Sequence, residues 1–130
     1  MGDVRTVTPR ELNQITNVIC DKPKTILWHG KRISVNPLLS FKDLFEIVMA
    51  VVDACVDRDK NVMVVESVDF IFKKVTLEQY GNITFPKGVE EQYKIIYGSD
   101  LVKHVWNEVN QVQLSSLKEI IRVYTGIEIV

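Results

Sequence analysis

Hydrophobic positions along this chain recur mostly at three- and four-residue steps, the spacing of a helical face. The longest such stretch covers residues 40–57, SFKDLFEIVMAVVDACVD. Phe41, Leu44, Phe45, Val48, Val51, Val52 and Cys55 form one stripe, while Ile47, Met49, Ala50, Ala54 and Val56 make much of the other side apolar as well. Ser40 stands where an N-cap belongs, with Asp43 three positions on to return the bond. A helix apolar nearly all round belongs in a core, or is shared with a partner chain.

Other segments carry narrower stripes. Thr8-Pro9-Arg10-Glu11 combines an N-cap, a first-turn proline and a capping-box acid, and opens a helix over 9–20 faced by Leu12, Ile15, Val18 and Ile19. Pro23 ends it, because the residue before a proline is pushed out of the helical region. Residues 24–35 then read as a two-strand hairpin, with β-branched and aromatic residues on both sides of His29-Gly30. Further helices are expected at 63–80, 89–97, 100–110 and 113–124. The run Val62-Met63-Val64-Val65 could equally open as a strand. Tyr80-Gly81 marks a helix end with glycine just past it. The apolar tail 127–130 is β-prone and is expected to pair with the hairpin. The fold class is therefore mostly α (α+β): one domain at 1–130, of five to six helices with a single β-hairpin in its N-terminal half.

Composition narrows the function. At 130 residues the chain can bury about two-thirds of its unfolded surface without staples. Its 46% hydrophobic and 25% charged residues are ordinary globular values. A formal net charge of −1 lacks the basic excess from which duplex binding draws its affinity, so nucleic acid is not an expected partner. No stretch suits a membrane span, since the 40–57 helix is short and carries charges. Residues 1–10 hold no apolar run, so no signal peptide is expected. Cys20 and Cys55 both lie in apolar helical patterns and are expected as buried free thiols in a reducing compartment.

Motifs for chemistry are sparse. His29 and His104 have no ligand-spaced partner, and no cysteine pair has zinc-site spacing. Asp57-Arg58-Asp59-Lys60-Asn61 begins like a calcium loop, but Val62 and Val68 stand where that loop needs Gly and Glu. Glu90 and Glu91 are neighbours, which on a helix do not face one another as an acid–base pair. No catalytic group, cofactor or metal ligand is assigned, and the chain is not expected to be an enzyme.

What the pattern does offer is candidate interface. Lys22, Lys24, Lys31 and Arg32 surround the hairpin with Trp28 among them, a cluster that suits either a solvated hairpin or a nucleic-acid edge. Trp28, Lys31 and Arg32 on the hairpin, with Phe41, Phe45 and Met49 on the two-sided helix, are the candidate contact residues. Trp28 is the aromatic expected to be exposed, and Trp106 and Tyr97 are expected in or beside the core.

One resemblance bears on the biological setting. Residues 77–105 carry Tyr80-Gly81-Asn82-Ile83, Pro86, Glu90-Glu91, Tyr93, Tyr97 and Ser99-Asp100-Leu101. This pattern resembles that of small uncharacterised proteins of tailed bacteriophages. The order of a hairpin bearing Gly30-Lys31-Arg32-Ile33-Ser34-Val35 followed by a helix is similar to phage tail-assembly chaperones, which bind unassembled tail components. The resemblance spans about residues 24–110 and implies no site residue. It implies a non-enzymatic virion-structural or assembly protein acting by protein contact, with a protein partner or a second copy, in the host-cell cytoplasm or the virion. The alternative is a small phage-encoded inhibitor or regulator that binds a host protein or a signalling ligand.

Overall fold

A computed structural model describes residues 6–57, 62–63 and 65–130, with side chains described for 6–55 and 67–130. Element order is α1 (Pro9–Thr16), β1 (Lys24–Trp28), β2 (Lys31–Val35), α2 (Phe41–Cys55), β3 (Val56–Asp57), β4 (Val62–Met63), α3 (Val65–Gly81), α4 (Val89–Gly98), α5 (Leu101–Asn107) and α6 (Gln111–Thr125). The fold is mostly helical with a hairpin at 24–35, as the hydrophobic pattern requires.

At the centre, α2 packs along α3 and against α6, and α3 meets α4 and α5. One core joins them. Ile47, Val48, Val51 and Cys55 from α2 meet Val68, Phe72, Leu77 and Tyr80 from α3, with Leu114, Leu117 and Ile121 from α6. Each fully buried residue of this size contributes about 1.5–3 kcal/mol by leaving water. The hairpin closes one side, β2 resting on α3 and β1 on α5. Its register runs from Lys24 opposite Val35 to Trp28 opposite Lys31. His29 (φ 49°) and Gly30 (φ 73°) both take the left-handed conformation, which a two-residue turn of matching twist demands.

Several boundaries differ from expectation for identifiable reasons. Helix α1 stops at Thr16 instead of reaching Cys20, since it has no buried residue and short helices depend on packing. The central helix ends at Cys55, and Val56–Asp57 instead pairs antiparallel with Val62–Met63, the strand alternative there. Arg58–Asn61 of the calcium-like run lie outside the described residues, as does Val64 of the expected 63–80 helix. Gly81 is still helical, and Asn82 (φ 49°) takes the left-handed position assigned to the glycine. A Cβ on Gly81 would approach Ile83 Cδ1 at 3.1 Å, so the glycine serves close packing instead. Helix α6 begins two residues early because Asn110 caps it, its Oδ1 accepting from Gln113 N at 2.9 Å. The helix expected at 100–110 closes at Asn107. The tail does not pair with the hairpin: Ile129 is buried in the core and Ile127 packs against it.

Candidate functional site

Helix α2 leaves its outer face uncovered. Phe41 is 83% exposed, Phe45 51% and Met49 42%. They follow one another at four-residue steps, and the Phe41 and Phe45 rings stack with centroids 6.3 Å apart. The adjoining row of the same helix, Ile47, Val48, Val51 and Cys55, is sealed in the core. Burial pushes the Cys55 thiol above its ordinary pKa, so it stays protonated and inert.

The start of α2 is fixed by contacts that reach across the chain. Ser40 Oγ accepts from Asp43 N at 3.2 Å, the expected N-cap. The preceding loop is then held at several points. Asn36 N donates to Tyr80 O at 2.7 Å, and Asn110 N donates to Pro37 O at 2.8 Å. Gln113 treats Leu39 as a strand would: its Oε1 accepts from Leu39 N at 2.9 Å and its Nε2 donates to Leu39 O at 3.0 Å. The same Oε1 accepts from the Tyr80 hydroxyl at 2.8 Å, and burial pushes that phenol well above its ordinary pKa. This clamp holds the backbone two residues ahead of Phe41. Nothing in the periodicity singled out Gln113. A glutamine on the flank of an apolar stripe, just inside a capped helix start, was the available signal.

Helix α1 is the second uncovered surface. Leu12 (55%), Ile15 (50%), Val18 (81%) and Ile19 (40%) are all exposed, and no α1 residue is buried. Thr8 caps it, accepting from Glu11 N at 3.2 Å. Cys20, expected as a buried thiol, is exposed.

The hairpin candidates behave differently. Lys31 and Arg32 are exposed. Trp28 is not a free anchor: it is half-buried, packs against the core, and its indole N–H donates to Asp100 Oδ1 at 2.9 Å. Asp100 Oδ2 also lies 3.0 Å from His104 Nε2. The Trp28 bond, then His104, hold the Asp100 carboxyl below its usual range. Asp100 thus joins the hairpin to α5, while Ser99 Oγ accepts from Leu101 N at 3.3 Å. The six candidates therefore form two groups, Trp28, Lys31 and Arg32 on the hairpin against α3 and α5, and Phe41, Phe45 and Met49 on α2.

Two aromatics expected near the core diverge. Trp106 packs edge-on against Phe72 and donates to Thr76 Oγ1 at 3.0 Å. Tyr97 remains 42% exposed and stacks with Phe70, its hydroxyl donating to Asp69 Oδ2 at 2.5 Å. Among the described residues no helix is long and apolar enough to cross a membrane. No family model, curated protein or solved structure matches the chain.

Proposed function

We propose that this chain is a non-enzymatic assembly module that works by protein contact, and that its first partner is a second copy of itself. The observation that carries this reading is the outer face of α2, where Phe41, Phe45 and Met49 stand exposed in a row. Large contiguous apolar patches on a folded chain mark interaction sites. Helix α1 supplies the complement. Its eight residues are too few for a helix to be stable alone, and its own domain buries none of them.

Area favours a second copy as the cover. The exposed apolar residues of α1 and α2, with Val18 and Ile19, leave on the order of 800 Å² open, close to the roughly 800 Å² each partner of a standard interface loses. A two-fold pair in which α1 of each chain lies on α2 of the other would cover both surfaces at once, as a self-complementary interface requires. The setting we infer, a virion-structural or assembly role in a tailed bacteriophage, draws its support from the sequence pattern over residues 77–105.

Sedimentation equilibrium across a wide concentration series tests the reading. The native chain is expected to form a discrete dimer. Phe41→Ser/Phe45→Ser and, separately, Leu12→Ser/Ile15→Ser are each expected to yield folded monomer. A native chain that stays monomeric throughout, or variants that dimerise as well as it does, would contradict the proposal.

A further inference from the structure

A cleft of about 490 Å³ lies between α3, α4, α5 and α6, away from the α2 face. Its volume falls within the range of about 300–1,000 Å³ usual for small-molecule sites. Ile96, Val102, Leu114 and Trp106 give it an apolar wall, and three lysines, Lys73, Lys103 and Lys118, reach it from three helices. Their charges are not equally balanced. Lys73 is paired with Asp69 at 2.8 Å. The Asp100 carboxylate, also on the cleft lining, is already engaged by Trp28 and His104. Lys118 makes no ion pair among the described residues, and its ammonium lies 4.6 Å from the centre of the Trp106 ring. Burial first, and the nearby Lys73 charge second, hold Lys118 below its ordinary pKa against an opposing pull from the Asp69 carboxylate. A partly desolvated ammonium with no ion partner of its own is a group that an incoming anion would satisfy.

We propose that this cleft binds a small organic anion with an apolar body, a medium-chain carboxylate by class. Lys118 meets the carboxylate, Lys103 assists from the rim, and the Val102–Leu114 wall takes the chain. Purely inorganic anions would leave that wall wet. A neutral alcohol of the same length would offer Lys118 a hydroxyl oxygen but no negative charge.

The test is amide-resolved NMR of the full chain titrated at low salt with octanoate, octanol and inorganic phosphate in separate arms. Octanoate is expected to give saturable shifts at Val102, Lys103, Asn107 and Lys118, with phosphate and octanol each weaker. Lys118→Gln is expected to weaken octanoate binding about tenfold or more, the loss of a hydrogen bond to a charged group. Lys103→Gln, on an exposed side chain whose replacement leaves the core intact, is expected to weaken it by a smaller factor. Four results would overturn the proposal: no octanoate shifts at these amides, shifts confined to 41–49, octanol or phosphate binding as tightly, or both lysine variants binding like the native chain.

Discussion

Two apolar rows of α2 lie side by side on the helix and meet opposite fates. Ile47, Val48, Val51 and Cys55 are closed off by α3 and α6, while Phe41, Phe45 and Met49 on the same helix face solvent. Apolar character states what a residue gains by being covered, about 25 cal/mol for each Å². It does not state which surface supplies the cover. Inside the domain that surface is the chain itself. Outside it, we assign the role to a second copy.

Replacing a residue on the inner face should produce the largest change. Ile47→Ala opens a cavity where the native residue is 1% exposed, and a loss of about 2–5 kcal/mol is expected in urea unfolding of dilute protein. A loss below 1 kcal/mol would mean the inner face is not the sealed one. Gln113→Ala comes next, because it strips partners from Leu39 N, Leu39 O and the Tyr80 hydroxyl together. About 1–3 kcal/mol is expected, with hydrogen exchange at Leu39 accelerated in step. If only stability fell and exchange at Leu39 did not, the clamp would not be what fixes the start of α2.

Acid should act on the hairpin more gently. Asp100 has its pKa lowered in the fold, so its contribution is complete above the unfolded carboxyl value of about 4 and fades as pH falls through the folded value. The Trp28 indole N–H resonance is expected to move over that acidic window in the native chain and to hold still in Asp100→Asn. The smallest stability effect belongs to the outer face. Phe41→Ser should change the unfolding free energy of the dilute chain by no more than about 0.5 kcal/mol, as at other exposed sites. Its consequence is in the mass of the particle rather than in the fold.

Much of this architecture was legible from periodicity. The hairpin with its His29-Gly30 turn, the N-caps Thr8 and Ser40 and the succession of helices all express local rules, set by residues close together in sequence. What escaped were decisions made across the fold. Trp28 has the composition of an exposed anchor, yet Asp100, 72 positions away, draws its indole inward. Cys20 sits in an apolar pattern yet is exposed, so the pattern outran the helix. Gln113 looks like an ordinary polar residue until Leu39 and Tyr80 are brought to it. Of the six candidate contact residues, Trp28 is drawn inward, while Lys31, Arg32 and the α2 row of Phe41, Phe45 and Met49 are exposed.

The most direct test of the self-association account is an isotope-filtered NMR experiment on dimer assembled from labelled and unlabelled chains. The account predicts intermolecular contacts between the Met49 methyl group of one copy and the Leu12 and Ile15 methyl groups of the other. If Met49 shows no contact with a second chain under conditions where sedimentation reports dimer, α2 does not form the interface and the central claim fails.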